Sequence, residues 1–249
     1  MRKPDTETIL VFATGDVGRD ALAGLIAGGT AVEKVFVTRP TDDAILDLAR
    51  ENGLPAEVAG DDTQPRLMAE GRRYAWLLNL WGNQIFRREF LDLFDRTLNI
   101  HPSLVPLCRG ADTATWILRT GVEPGVSLIE IRAGIDEGGV YAQRKLPRRF
   151  PETAAELQER LKAATVDLFL ECWPEIRAGR LAPRPQDGTG SYHRRRDTLA
   201  DRRREWNSPM TAGEVVNWIL AHDFSPGTGA EIVHDGRIYR VRIGLDPTE

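Results

Sequence analysis

A chain of 249 residues with 41% hydrophobic and 28% charged side chains has enough apolar material for one large domain, or for a domain with an appendage. No apolar stretch approaches the roughly 20 residues that span a bilayer, and residues 1–7 lack the apolar part of a signal peptide, so we expect a cytoplasmic protein. A net charge of −4 argues against general nucleic-acid binding, and two cysteines without ligand spacing argue against a metal site.

The N-terminal part of the chain alternates predicted strands and helices. Residues 8–13 are an apolar run of β-forming residues, and apolar residues at helical spacing follow until Gly28. A strand is predicted over 32–38, a helix over 41–52 and a short strand over 54–58. The first turn reads Gly15-x-x-Gly18, not the full G-x-G-x-x-G, which favours tight strand-helix packing over a nicotinamide site.

Residues 74–80 are nearly continuous in apolar character, which is typical of a central parallel strand covered on both faces. Strands that alternate with helices predict an α/β fold, with a Rossmann-like, doubly wound and mostly parallel sheet. Ligands of such sheets bind at the carboxyl ends of the strands. The loops after residue 80 and after the next predicted strand, 97–100, should therefore be neighbours.

Three polar residues at these strand ends are candidates for acyl transfer. Asn99 and His101 are two residues apart and should project to the same face of a strand. An asparagine amide can hold a developing oxyanion, and a histidine can exchange a proton near neutral pH. Asp136, in the glycine-rich loop after a predicted strand at 125–131, is placed to orient the imidazole or a water. Residue types alone favour a purely structural hydrogen-bonded pair over a catalytic one.

The longer context resembles one enzyme family in order and spacing. The matching segments are residues 99–106, Arg109-Gly110, 125–127, 134–139 and 142–143, which are similar to the folate-dependent formyltransferases. The resemblance implies catalytic roles for Asn99, His101 and Asp136, with N10-formyltetrahydrofolate as co-substrate.

The resemblance also implies a folate site. A flat pterin needs an apolar slot with exposed backbone donors and acceptors. The implied residues are Trp81, Gln84, Ile85, Phe86, Ile131, Ala133 and Ile135. The alternative is that Ile85 and Phe86 belong to the buried face of the next helix, together with Phe90, Leu91 and Phe94.

Beyond this region a helix is predicted from Arg109 to 119, an extended segment over 140–146, and a long helix over 151–179 that Pro174 would kink. A proline- and glycine-rich linker at 183–190 predicts two parts: a catalytic domain of residues 1–182 and a small C-terminal region of residues 183–249 for substrate binding or dimerisation. A helix over 211–221 and a hairpin with an Asp-Gly turn are expected there.

An arginine-rich stretch follows the linker. It is either a solvated face or a phosphate site, since arginine pairs with phosphate through two hydrogen bonds and an adjacent aromatic ring can stack on a base. The stretch is similar to the C-terminal region of nucleotide-sugar N-formyltransferases. That resemblance implies these substrate-binding residues: Arg109, Gly110, Tyr192, Arg194, Arg195 and Trp206.

The function that these features indicate is formyl transfer to the primary amine of a nucleotide-linked amino sugar. A methionyl-tRNA formyltransferase shares the core motifs, but the segment after the linker is short for its larger C-terminal domain. A hydroxyornithine formyltransferase of the siderophore type would leave the arginines without a role. A non-catalytic folate- or nucleotide-binding protein would have no need of the three polar residues. The family resemblance also suggests a homodimer.

Overall fold

The computed structural model describes residues 8–246, so the expectation that residues 1–7 are not a signal peptide concerns residues outside those described. The chain forms two compact units that alternate along the sequence. The first holds the described residues up to His101 together with Ser127–Gln143 and Thr165–Gln186. The second holds Pro102–Val126, Arg144–Ala164 and the described residues from Asp187 onward.

The strands and helices alternate through most of the chain. The strands are β1 (Ile9–Ala13), β2 (Lys34–Val37), β3 (Ala56–Val58), β4 (Tyr74–Leu80), β5 (Phe94–His101), β6 (Arg109–Gly110), β7 (Gly125–Ile129), β8 (Val140–Lys145), β9 (Tyr192–His193), β10 (Arg203–Glu205), β11 (Ala230–His234) and β12 (Arg237–Val241). The helices are α1 (Gly15–Ala27), α2 (Asp43–Glu51), α3 (Thr63–Ala69), α4 (Arg88–Leu91), α5 (Thr113–Thr120), α6 (Ala154–Arg177), α7 (Arg195–Asp201) and α8 (Ala212–His222).

The central sheet has the order β3-β2-β1-β4-β5-β7-β8. The pairs from β3 to β5 are parallel, and β7 runs antiparallel to β5. All residues of β1 and β4 are buried, as expected for central parallel strands that carry helices on both faces. The predicted Rossmann-like, mostly parallel α/β fold is confirmed. The strand order reverses between β1 and β4, and the carboxyl ends of β4 and β5 lie side by side at one edge.

The glycine turn after β1 serves packing. A Cβ built on Gly18 would lie 3.0 Å from the Leu80 carbonyl oxygen and 3.1 Å from the Ala13 Cβ, so only glycine lets α1 approach β1 and β4 this closely. The backbone N–H of Gly15 donates to Asp42 Oδ2 at 2.9 Å. This N–H, at the start of α1, is one that a dinucleotide phosphate would use. Because it is already bound to a carboxylate, the packing interpretation is favoured.

Three local predictions are wrong. Arg109 and Gly110 form β6, and α5 begins only at Thr113, because Gly110 (φ +90°) and Asp112 (φ +55°) have left-handed backbone angles that a right-handed helix cannot contain. Phe94 begins β5 instead of closing a helix, although its ring is buried as predicted. The helix after the 81–87 loop is a single turn, α4.

The C-terminal helix and hairpin are confirmed. Trp218 and Ile219 of α8 are buried against Ala230 of β11. The hairpin turns through Asp235 (φ +47°) and Gly236 (φ +73°), the left-handed pair that a two-residue turn requires. A strand inside the arginine-rich stretch, β10, was not predicted, and it pairs parallel to β11.

The compact units differ from the predicted division at residue 183, because residues 102–126 and 144–164 join the C-terminal residues in the second unit. The functional assignment of residues 1–182 and 183–249 stays a prediction. Within the described residues, no helix has the length and apolar character needed to cross a membrane.

Candidate active site

Three polar side chains of the first unit meet at the end of β5. The Asn99 Nδ2 donates to Asp136 Oδ1 at 3.1 Å, and the His101 Nδ1 lies 3.5 Å from Asp136 Oδ2. The side chains of His101 and Asp136 are only 5% and 12% exposed, so water screens their interaction weakly. One carboxylate therefore contacts both an amide donor and an imidazole, although strand-end spacing predicted only that Asn99 and His101 share a face.

Hydrogen bonds to backbone carbonyl groups hold the loop that carries Asp136. Asp136 has a left-handed φ of +53°, which is unusual for a residue with a side chain. The Gln186 Nε2 donates to the carbonyl oxygens of Asp136 (2.7 Å) and Gly138 (2.8 Å). Sequence reasoning missed Gln186 because it lies in a stretch that composition marks only as a linker.

A second polar pair lies opposite His101. β7 places Ser127 directly across from His101 in the antiparallel ladder, and the Gln143 Nε2 donates to Ser127 Oγ at 2.9 Å. Ser127 is fully buried. Both residues lie in segments that carry the family resemblance, but the sequence assigned neither of them a role. The structure places the pair beside the end of β5 that carries the His101 imidazole.

Asn79 extends the site into β4, and sequence reasoning missed it. Its Nδ2 donates to Asn99 Oδ1 at 2.9 Å and to the Gly82 carbonyl oxygen at 3.0 Å. The two asparagines are register partners in the parallel pair β4–β5. Asn79 is 5% exposed, and its Oδ1 has no hydrogen-bond partner among the described residues, a loss that typically costs about 1–3 kcal/mol. The sequence feature that could have identified Asn79 is its position as the one amide side chain in the apolar run 74–80.

The loop after β4 is anchored by a buried glutamine, Gln64. The Gln64 Nε2 donates to the Ile85 carbonyl oxygen at 2.8 Å, and its Oε1 accepts from the Arg87 backbone N–H at 3.0 Å. A Cβ on Gly82 would lie 2.3 Å from Asn79 Oδ1, so this loop position requires glycine. Gln64 was missed because α3 itself was not predicted.

The residues predicted to hold a folate divide into exposed and buried ones. Ile85 is 74% exposed and Ile135 is 43% exposed, although both side chains are apolar. Trp81, with φ +67°, Gln84 and Ile131 are half-buried, and Ala133 is exposed. Exposed apolar side chains on two loops suit a flat ring that would cover them.

Phe86 is the most buried of the residues predicted to hold a folate, and its place in the folate site stays a prediction. Its ring is 6% exposed and packs against Phe12 (centroids 5.1 Å apart) and Phe90 (5.8 Å) in the aromatic core of the first unit. This burial agrees with the alternative interpretation, in which Phe86 belongs to the buried face, whereas Ile85 is exposed.

In the second unit, β6 and β9 join most of the predicted substrate-binding residues. Arg109 pairs with Tyr192, and Gly110 pairs with His193. The Arg194 guanidinium lies 5.8 Å from the centre of the Tyr192 ring, and Arg195, 78% exposed, lies 3.4 Å from Asp112. The structure thus brings together two segments about eighty positions apart along the chain.

Trp206 lies elsewhere, directly after β10. It is 66% exposed, and its ring centre lies 5.0 Å from that of His234 on the hairpin. Its backbone N–H donates to the Val233 carbonyl oxygen at 2.9 Å. Trp206 therefore lies against the hairpin and outside the β6–β9 pair.

The second half of the arginine-rich stretch is neutralised internally. The guanidinium groups of Arg202 and Arg203 lie 3.2 Å and 2.8 Å from the two carboxylate oxygens of Glu231. Arg204 forms an ion pair with Asp201. These three arginines thus fit the structural interpretation of the stretch, whereas Arg194 and Arg195 remain candidates for phosphate.

In the second unit, the Asp201 carboxylate contacts several basic side chains. Its carboxylate binds Arg119 through two bonds of 2.6 and 3.2 Å and lies 2.9 Å from His222 Nε2. Burial opposes the charge, but the hydrogen bonds from His222 and Arg119 outweigh it and hold the pKa of Asp201 well below its usual range.

His193 lies within the predicted substrate segment. It stacks on Trp116 with ring centres 3.9 Å apart, and its Nε2 is buried without a hydrogen-bond partner among the described residues. Burial lowers the pKa of His193, while the charge of Asp197 opposes that shift. The stack supports the backbone that carries Tyr192 and Arg194.

The model of the formyl transferase family matches residues 7–172 of the chain. A methionyl-tRNA formyltransferase of Lactobacillus delbrueckii subsp. bulgaricus is 28% identical to the chain over 264 residues, which cover 97% of this chain and 80% of that protein.

Two solved structures share the fold. A sugar N-formyltransferase from Shewanella sp. FDAARGOS_354 is 16% identical, with a TM-score of 0.82 over 98% of this chain and 100% of its own. An N-formyltransferase from Helicobacter canadensis, in complex with folinic acid and dTDP-3-aminofucose, is 20% identical, with a TM-score of 0.72 over 87% of this chain and 80% of its own. At these identities the likeness establishes a common fold.

Proposed function

Because the chain belongs to the formyl transferase family, we propose that it transfers the formyl group of N10-formyltetrahydrofolate to the primary amine of a nucleotide-linked amino sugar. The observation that carries the proposal is the convergence of Asn99, His101 and Asp136 at the carboxyl edge of the sheet. This arrangement offers a charge-stabilising donor and a proton carrier at one place, as acyl transfer to an amine requires.

The three side chains divide the chemistry. The amine nitrogen bonds to the formyl carbon, and the formyl oxygen becomes negative. Asn99 Nδ2 keeps one hydrogen on Asp136 and directs its second hydrogen to this oxygen, while protonated His101 stabilises the same charge. Asp136 aligns His101 and takes up the proton that the amine loses, through a water. The bond to N10 then breaks, N10 receives the proton, and a formamide and tetrahydrofolate are released.

The folate slot would be formed by the two loops that flank the three residues. Trp81, Gln84 and Ile85 lie on the loop after β4, and Ile131, Ala133 and Ile135 lie on the loop that leads to Asp136. The exposed apolar side chains of Ile85, Ala133 and Ile135 would cover the pterin, and other backbone groups of the loop that Gln64 anchors would bind its amide edge.

The acceptor is assigned to the amino sugars on two grounds. The Shewanella sugar N-formyltransferase shares the fold over nearly the whole length of both chains. The β6–β9 pair also presents Arg194 and Arg195 beside Tyr192, a combination that suits a diphosphate and a base. The roles of Arg109, Gly110 and Trp206 in acceptor binding, and a homodimer, are parts of the same proposal.

Methionyl-tRNA is the second candidate acceptor. It is supported by the sequence relative from Lactobacillus, which matches 97% of this chain. That enzyme is longer than the matched region, since the alignment covers 80% of it. The net charge of −4 favours the smaller acceptor, because binding to tRNA depends on contacts with its phosphates.

A formyl-transfer assay with an acceptor panel tests the proposal. Purified protein with N10-formyltetrahydrofolate should release tetrahydrofolate with dTDP- or UDP-linked amino sugars, and mass spectrometry should show one added formyl group on the sugar. Asp136→Asn is the control that should retain the fold and lose turnover. Turnover with initiator methionyl-tRNA and with no amino sugar would make methionyl-tRNA the acceptor. If no amine led to consumption of the formyl donor, the proposed formyl-transfer activity would be refuted.

A further inference from the structure

Two amides link a backbone carbonyl to the Asp136 carboxylate. The Gly82 carbonyl oxygen accepts from Asn79 Nδ2, which also donates to Asn99 Oδ1, and Asn99 Nδ2 donates to Asp136 Oδ1. A carbonyl oxygen can only accept, and an ionised carboxylate can only accept. With acceptors at both ends, this hydrogen-bonded chain has a single direction.

That direction determines which atom of Asn99 serves the reaction. Reversing the Asn99 amide would set its oxygen against the Asp136 carboxylate and its nitrogen against the Asn79 nitrogen, and both hydrogen bonds would be lost. Asp136 alone does not secure this orientation throughout the reaction, because a carboxyl that has taken up a proton is also a donor. The Gly82 carbonyl never changes its role, so Asn79 continues to present a nitrogen to Asn99.

We propose that Asn79 is a positioning residue for formyl transfer, which keeps the Asn99 nitrogen turned toward the formyl oxygen while Asp136 changes its protonation state. The inference rests on the proposed function. An independent observation supports it: Asn79 is buried to 5% exposure in a central strand, with an oxygen that has no partner among the described residues. An apolar residue would fill this position without such a loss, so packing does not explain the amide.

The test replaces Asn79 with leucine, which has the same number and branching of side-chain heavy atoms and no donor. We expect kcat to fall roughly 10- to 100-fold while the KM for N10-formyltetrahydrofolate changes less than about twofold, since the loss concerns only the transition state. Trp76→Phe is the matched control. It removes a buried nitrogen that has no hydrogen-bond partner among the described residues from the same strand, and it should leave kcat unchanged.

A double-mutant cycle separates positioning from general damage. If Asn79 acts through Asn99, then Asn79→Leu causes no further loss of kcat in an Asn99→Ala background. Additive losses would overturn the inference, because they would show that Asn79 affects turnover by a separate route.

A measurement without substrates distinguishes this inference from the proposed function. The side-chain amide resonances of Asn99, assigned in 15N-labelled protein by comparison with Asn99→Ala, should move in Asn79→Leu and stay in Trp76→Phe. Unchanged resonances in Asn79→Leu would overturn the inference. If they move but the wild-type protein formylates no amine, the proposed function and the catalytic part of the inference both fail, and the control of Asn99 orientation by Asn79 stands.

Discussion

The two compact units each contain a largely buried aspartate beside a histidine, and the two pairs differ in how the charge of the aspartate is compensated. Asp201 lies 2.9 Å from His222 and also binds Arg119 and Arg204, so its charge is compensated by guanidinium groups. Asp136 divides its two oxygens between His101 at 3.5 Å and an amide. The first arrangement joins α5, α7, α8 and β10, whereas the second joins an amide and an imidazole of one strand, β5, to the loop that carries Asp136.

Exchanging the two histidines for asparagine gives the largest contrast. His101→Asn should reduce turnover by more than about 10³-fold, since it removes the proton carrier, and should leave the melting temperature nearly unchanged. His222→Asn should do the opposite: kcat within about twofold of wild type and a stability loss on the order of 2 kcal/mol, because the imidazole hydrogen-bonds a buried charge. Turnover and thermal unfolding are measured for both variants. Wild-type turnover in His101→Asn would refute the proposed catalytic role of His101.

The next effect concerns Asp201 itself. Asp201→Asn leaves Arg119 and Arg204, which are 19% and 29% exposed, without their carboxylate, and we expect a loss on the order of 3 kcal/mol in the free energy of unfolding. Urea unfolding at pH 7 measures it. A loss under about 0.5 kcal/mol would show that solvent compensates these charges and that the second unit does not depend on them.

The same residue gives a pH dependence whose sign follows from its lowered pKa. A carboxyl that is more acidic in the folded than in the unfolded chain stabilises the fold above its unfolded pKa of about 3.9, and this contribution is lost as the pH falls through the folded pKa. The difference in stability between wild type and Asp201→Asn should therefore be constant from pH 7 to about 5 and shrink below about 4. A difference that stays constant down to pH 3 would contradict the assignment.

Individual residues show which parts of the candidate site can be predicted from the sequence. Strand-end spacing predicted that Asn99 and His101 share a face, because alternation along a strand is local, and the family resemblance supplied Asp136. Asn79, Gln64 and Gln186 escaped prediction because their roles depend on partners from distant segments. Arg109 and Gly110 were misplaced on a helix for a related reason: they pair with residues 192 and 193, which lie far along the chain.

A comparison of Phe86 with its neighbour Ile85 sharpens the folate assignment. Phe86→Ala should cost about 3–5 kcal/mol of stability, as the loss of a buried aromatic ring does. Ile85→Ser should leave stability within about 0.5 kcal/mol and raise the KM for N10-formyltetrahydrofolate roughly tenfold, since its exposed side chain is free to cover the pterin. Equal KM values for wild type and Ile85→Ser would remove this residue from the folate site.

The smallest expected effect distinguishes the two halves of the arginine-rich stretch. Arg195, 78% exposed and 3.4 Å from Asp112, is a proposed phosphate contact, whereas Arg203 is bound to Glu231 at 2.8 Å. Arg195→Ala should raise the KM for the nucleotide-linked acceptor about five- to tenfold, in line with one charge-assisted hydrogen bond, and leave kcat unchanged. Arg203→Ala should leave both constants unchanged. Since both variants remove one positive charge, a KM effect that is equal in the two would indicate a general electrostatic attraction and would withdraw Arg195 from the phosphate site.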